Sequence, residues 1–281
     1  MHTLGRQIRF WINPFSGSQL EGANSFCGKP CGEGFSLYFG LWVELIGSVK
    51  KETGFVINVS EIDKAVRNYA MKIFTEGIRK KFTNRQNISL EDVGLLMKDA
   101  QEILADKFGS AKVSSLELEL SPNRKLGIKL ENKDMLYFSE KFEFAASHTL
   151  WNDKFSDEEN EKVFGKCANK SGHGHNYIVE VTIKKGFAPT PEFTLAQAGG
   201  RGSDSVLNAG AFESIVEKEF IRLVDHKNLN IDVEHFKKVN PTVENIAQFA
   251  FKNLAGKLKP LQLDCITVWE NDRTFCSFRA E

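Results

Sequence analysis

One order of local patterns occurs twice in this chain, and that repetition restricts the fold more than any single motif. Each half reads as two strands, two helices and a closing hairpin. In the first half, alternating apolar residues predict strands over residues 6–13, 35–46 and, as a short β-branched run, 55–59. Helical spacing of Ile62, Val66, Tyr69, Ile73 and their neighbours predicts a helix over residues 62–82. Ser89 is placed to cap a second helix over residues 89–108, and residues 113–120 and 125–130 form a hairpin around Pro122-Asn123. In the second half a strand ends at His148, a polar loop runs over residues 151–171, and a strand covers residues 173–183. Helices over residues 211–224 and 242–258 follow, then a hairpin of residues 265–270 and 274–279.

Short stretches of the halves align without gaps. Phe55-Val-Ile-Asn58 matches Ser205-Val-Leu-Asn208, Ser89-Leu-Glu-Asp92 matches Thr242-Val-Glu-Asn245, and Leu41-Trp-Val-Glu-Leu45 matches Tyr177-Ile-Val-Glu-Val181. A period of this size points to duplicated architecture. We therefore expect two domains, residues 1–133 and 134–281, each built ββααββ.

The copies differ in chemistry. Of six histidines, only His2 lies in the first half. The second half holds Gly172-His173-Gly174-His175-Asn176-Tyr177 at the start of a strand. Side chains two apart on a strand share a face, so His173 and His175 project together. The preceding strand ends in His148, and strands adjacent in sequence tend to pair. An antiparallel pairing sets His148 beside them at the open end of a hairpin. Three imidazoles with one open position form a catalytic zinc shell. By the alignment, Leu37 and Phe39 stand where His173 and His175 stand, so the first half is expected to lack a metal site.

Further candidates surround this triad. Cys167 lies six residues before His173; a thiol beside a dication and imidazoles is expected to have a lowered pKa and to serve as base or nucleophile. The Asp225-His226 pair suits proton transfer, since a carboxylate fixes the tautomer of an adjacent imidazole. Glu270 ends a strand and offers two oxygens to an N–H-rich heterocycle.

Composition excludes other classes. Lys plus Arg and Asp plus Glu are both 37, so net charge is zero and nothing points to nucleic acid. No apolar run reaches the roughly 20 residues that span a bilayer. No signal-peptide pattern opens the chain, and five unevenly spaced cysteines suggest a reducing cytoplasm rather than a disulfide framework. Cys27 and Cys31 read as plain loop thiols, because no second Cys or His pair stands near them.

Together these motifs resemble one family. Ala146-Ser-His148, Cys167-x5-His173-Gly-His175-Asn-Tyr177, Asp225-His226, Pro241-Thr-Val-Glu-Asn245 and Val268-Trp-Glu270 resemble, in order and spacing, the 6-pyruvoyltetrahydropterin synthase/6-carboxytetrahydropterin synthase family. The resemblance covers residues 135–281 and extends to the first half as a degenerate copy. It implies an α+β fold of two tandem tunnelling-fold domains, each a four-stranded antiparallel sheet with two helices on one face, assembling into barrels as a homo-oligomer. It implies zinc on His148, His173 and His175, Cys167 with Asp225 and His226 as catalytic residues, and Glu270 with Thr242 as substrate-binding residues. The implied substrate is 7,8-dihydroneopterin triphosphate. The Cys-x5-His spacing resembles the pyruvoyl type; the alternatives are the carboxy type of queuosine synthesis and a non-catalytic pterin- or metal-binding protein. The chain departs from the family where Asn208 replaces a usual Asp, and in an insert over residues 185–204.

Overall fold

The computed structural model describes residues 1–15, 36–187 and 207–280. Cys27, Cys31 and the Gly199–Gly202 run lie outside them. The chain divides into two compact units. One comprises Met1–Phe138 with residues 185–187 and Leu207; the other comprises Ser139–Lys184 and Asn208 onward.

The first unit contains strands β1 (His2–Ile12) and β2 (Leu37–Gly47), helices α1 (Val59–Ala65), α2 (Met71–Thr83) and α3 (Leu90–Leu104), and strands β3 (Lys112–Ser121) and β4 (Arg124–Lys129). The strands lie in the order β1-β2-β3-β4, all neighbours antiparallel. Alternation decides what each face does. Phe39, Leu41, Val43 and Leu45 are buried, while Tyr38 and Trp42 on the other face are partly exposed. Phe74 of α2 packs on Phe10 and Phe39, which places the helices on the apolar face. A single π turn, Val66–Ala70, joins α1 to α2.

The expected short strand over residues 55–59 is absent. Phe55 is half exposed, and the Asn58 side chain accepts a hydrogen bond from the Ser60 amide, so the chain turns directly into α1. That cap satisfies an amide which the first helical turn leaves without a partner.

The second unit contains β5 (Met135–His148) from Ser139 on, α4 (Asp157–Phe164), β6 (His173–Gly186) as far as Lys184, α5 (Ala209–Val216), α6 (Arg222–Val224), β7 (Lys227–Asn228), α7 (Leu229–Asp232), α8 (Val243–Leu254), β8 (Gln262–Asn271) and β9 (Thr274–Phe278). The order is β5-β6-β8-β9, with the short β7 paired to β5 in parallel. A π turn, Glu217–Ile221, joins α5 to α6. Phe220 packs edge-on against Phe144 of β5, and Phe251 of α8 against Phe278 of β9, so these helices also cover one face. Burying one such aromatic stabilises by roughly 1.5–3 kcal/mol.

The expected polar loop over residues 151–171 contains α4 and a 3-10 turn, Gly165–Ala168. Ser156 and Glu159 form a reciprocal capping box that starts α4 without an apolar stripe. Among the described residues no helix is long and apolar enough to cross a membrane.

Candidate metal centre

The triad sits where β5 ends and β6 begins. His148 is 1% exposed, and its Nε2 lies 3.2 Å from His173 Nε2. One nitrogen from each of His148, His173 and His175 falls within 4.8 Å of the others. The rings meet edge to face, with centroids 4.6–5.3 Å apart.

The local chain fixes each ring. His148 Nδ1 lies 2.9 Å from the Pro241 carbonyl oxygen. A carbonyl only accepts, so Nδ1 carries the hydrogen and Nε2 turns its lone pair toward the other imidazoles. Tyr177, buried beneath, brings its hydroxyl to 3.4 Å from the same Nδ1. The residue after His148 is clamped: the Thr149 amide donates to Asn230 Oδ1, and Asn230 Nδ2 donates to the Thr149 carbonyl. Trp151 is held in turn by Asn240. Gly172 has φ of +72° immediately before His173, and its Cα lies close to the His148 carbonyl.

The donor set fits a dication. His173 Nδ1 and His175 Nε2 are buried and make no hydrogen bond. Buried polar atoms without partners are rare, and His175 Nε2, on one of the three converging rings, calls for a cation; His173 meets His148 through its other nitrogen, Nε2. Burial lowers the pKa of His148 and, by the same cause, of His175, which keeps both rings neutral and able to bind metal.

The other sequence candidates fall around this cluster in different ways. Cys167 Sγ lies 3.7 Å from His173 Nε2. Burial, and after it the Glu270 carboxylate, push the thiol pKa up; the lowering expected from the sequence depends on a neighbouring dication. Glu270 approaches the triad itself, with Oε1 3.5 Å from His148 Nε2 and 3.4 Å from His175 Nε2. Burial, followed by that same carboxylate and Cys167, raises the pKa of Tyr177 as well.

Asp225 and His226 stand at a neighbouring cleft. Ala145, Ala146, Gly174, His175, His226 and Lys227 are among the residues lining its volume of about 520 Å³. Asp225 Oδ1 accepts from the Ala145 amide, and His226 Nδ1 lies 2.8 Å from Asp225 Oδ2. The Ala145 amide, and after it the His226 ring, hold the Asp225 carboxyl below the usual range. His226 is exposed and has φ of +53°, a sparsely populated region that marks a constrained position. Thr242 does not face this cleft through its hydroxyl, which caps α8 by accepting from the Asn245 amide. It follows Pro241, whose carbonyl orients His148.

Sequence reasoning named Pro241 only as part of a motif, without its role at His148, and did not single out Asn230 or Asn240. Main-chain acceptors leave no residue signature, and the asparagines act at positions far from the triad in sequence.

Residues 137–281 match the family model described as 6-pyruvoyl tetrahydropterin synthase. The human 6-pyruvoyl tetrahydrobiopterin synthase is 36% identical over 143 residues, which is 51% of this chain and 90% of that protein. The Drosophila melanogaster protein of the same name is 33% identical over 151 residues, covering 53% of this chain and 83% of that one. The solved structure of Caenorhabditis elegans 6-pyruvoyl tetrahydropterin synthase is 29% identical, covers 52% of this chain and 96% of its own, and superposes with a TM-score of 0.43.

Proposed function

We propose, given that this chain belongs to the 6-pyruvoyl tetrahydropterin synthase family, that its second half is a zinc-dependent carbon–oxygen lyase. The substrate is 7,8-dihydroneopterin triphosphate, and the reaction expels triphosphate to give the 6-pyruvoyl product. The observation that carries this reading is the convergence of His148, His173 and His175 with the Cys167 thiol 3.7 Å from His173.

His148, His173 and His175 would hold the metal. When bound, Zn²⁺ supplies Lewis-acid polarisation of the substrate's side-chain oxygens. Cys167 accepts and returns a proton at the substrate's side-chain carbon. Its thiol is held high by burial and by Glu270, so it reaches the thiolate only once positive charge stands beside it. Asp225 keeps the His226 ring with Nδ1–H donating to its carboxylate, so Nε2 is free to exchange a proton with substrate or water. Glu270 binds the N–H edge of the pterin ring, and Thr242 supports the pocket through the cap that positions Pro241.

The domain reading is part of the proposal. Residues 1–133 form a degenerate tunnelling-fold copy without a metal site, and residues 134–281 the catalytic copy. Three chains then supply six domains that close into barrels, in a reducing cytoplasm where Cys167 remains a thiol. Light scattering tests the assembly; a monomeric mass would contradict it.

The reaction is tested by incubating the full chain with 7,8-dihydroneopterin triphosphate and identifying products by mass spectrometry, with metal content measured on the same sample. We expect triphosphate release, a 6-pyruvoyl product and loss of turnover in Cys167→Ala. A 6-carboxy product would move the chain to the queuosine-type reaction. Pterin and zinc binding without any product would reduce it to a binding protein, and unchanged turnover in Cys167→Ala would remove the thiol from the mechanism.

A further inference from the structure

Glu270 is placed oddly for a residue whose only task is to hold a substrate. It closes β8 at a register shift between Trp269 and Asn271. Such a shift re-aims a side chain, and here it turns the carboxylate, 18% exposed, onto the imidazoles. Oε1 lies 3.4 Å from His175 Nε2 and 3.5 Å from His148 Nε2. Neither approach is a hydrogen bond. His148 gives its hydrogen to Pro241 through Nδ1, and His175 Nε2 makes no hydrogen bond although it is buried. A carboxylate oxygen held against the His148 Nε2 lone pair is unfavourable unless a cation lies between them.

The spacings agree with a shared cation. Ligands about 2.1 Å from one tetrahedral dication stand about 3.4 Å from each other. The separations are 3.2 Å for His148 to His173, 3.5 Å for His148 to Glu270 and 3.4 Å for His175 to Glu270. Cys167 lies 3.7 Å from His173 Nε2, whereas Glu270 is the group brought against two of the three imidazoles.

We propose that Glu270 is the fourth ligand of the substrate-free metal centre and leaves it when the pterin arrives. The inference rests on the proposed function and adds a coupling to it. One carboxylate cannot cap the metal and hold the ring N–H edge at the same time. Binding of the ring therefore draws Glu270 away and opens the metal only when the substrate's side chain is there to use it. Water is kept from the open position in the meantime.

Co²⁺ is the probe, because its visible bands report ligand number and type. The full chain is loaded with Co²⁺, and affinity is measured by competition with a chelator. We expect Glu270→Gln to weaken Co²⁺ binding by at least about tenfold, the scale of losing a partner at a metal site, and to shift the visible bands. Adding 6-methyl-7,8-dihydropterin, which has the ring but no side-chain hydroxyls, to the wild-type protein is expected to shift the bands in the same way, since the ring alone draws the carboxylate off. Cys167→Ser should leave affinity and bands in place. Glu270→Gln with affinity within twofold of wild type and the same bands overturns the inference but leaves the three-histidine centre standing. So does a sulfur charge-transfer band that disappears in Cys167→Ser, which gives the fourth position to the thiol. A wild-type chain that takes up no Co²⁺ overturns this inference and the metal-dependent reading together. Should Glu270→Gln fold poorly, the response of the wild-type bands to 6-methyl-7,8-dihydropterin decides the matter alone: unchanged bands overturn the inference.

Discussion

The two units build the same corner and fill it with different chemistry. In the first, Ile12 closes β1 opposite Leu37 at the start of β2, and Phe39 follows two residues on. In the second, His148 closes β5 beside His173 at the start of β6, with His175 two residues on. The supports around the corner correspond. Asn58 caps α1 and Asn208 caps α5, Ser89 caps α3 and Thr242 caps α8, and one π turn follows α1 as one follows α5. Arg79 Nε donates to the Asn13 carbonyl just after β1; Asn230 Nδ2 donates to the Thr149 carbonyl just after β5. These shared devices support the proposed duplication. They also separate two roles that a single domain confounds, because the frame persists where the three histidines do not.

The sharpest way to break this comparison is to truncate the same position in both units. His175→Ala should lower metal retention and turnover by well over 100-fold, since even the loss of an outer-shell partner costs 10–100-fold. In metal-free protein it should change unfolding free energy little, because its Nε2 makes no hydrogen bond to lose. Phe39→Ala removes a ring that packs on Phe10 and Phe74. It should cost about 3–5 kcal/mol in denaturant unfolding and leave metal content per folded molecule unchanged. If Phe39→Ala stripped the metal, or His175→Ala cost as much stability, the division of roles would not hold.

Acid should separate the units next. Burial lowers the pKa of His148 and His175 in the folded state. The unfolded chain then binds protons more readily than the folded one below the ordinary imidazole value of about 6.5. The contribution of these rings is complete above that pH and is lost as pH falls below it toward the depressed folded values. The only histidine of the first unit is His2, exposed at the start of β1. Hydrogen exchange on chelator-treated protein at pH 7.5 and 5.5 reads the difference by peptide. Peptides from β5 and β6 should lose protection first; equal loss from β1 and β2 would contradict the assignment.

The sequence made much of this legible because the signals were local. Period-two alternation located β2 and β6, the Ser89 and Thr242 caps located their helices, and the strand parity of His173 and His175 placed two ligands on one face. What escaped had no local signature. The segment Asp157–Phe164 is largely charged, so periodicity is silent there, although the Ser156–Glu159 spacing was available as a helix start. The segment 55–59 looked like a strand because its apolar residues are β-branched, and the Asn58 cap prevailed. The Pro241 carbonyl and the Asn230 clamp depend on long-range packing that no residue pattern encodes. The raised pKa of the Cys167 thiol reflects burial and a carboxylate 103 positions away in sequence, at Glu270.

The finest test uses two glycines with the same backbone and different surroundings. Gly54 and Gly172 both have φ of +72°. Alanine strains that backbone by roughly 1–2 kcal/mol at either position. At Gly54 an added Cβ meets nothing within 4 Å, so the backbone cost is the whole effect. At Gly172 it meets the His148 carbonyl oxygen at 3.2 Å and Thr149 Oγ1 at 3.3 Å. Those atoms belong to the segment that sets His148, and a shift of a few tenths of an ångström there moves a ligand. Gly54→Ala should therefore lower stability by about 1 kcal/mol and leave Co²⁺ affinity unchanged. Gly172→Ala should cost somewhat more and weaken Co²⁺ binding several-fold. Equal metal affinity in the two variants would mean that the turn before β6 only connects strands and does not hold the first ligand in register with the other two.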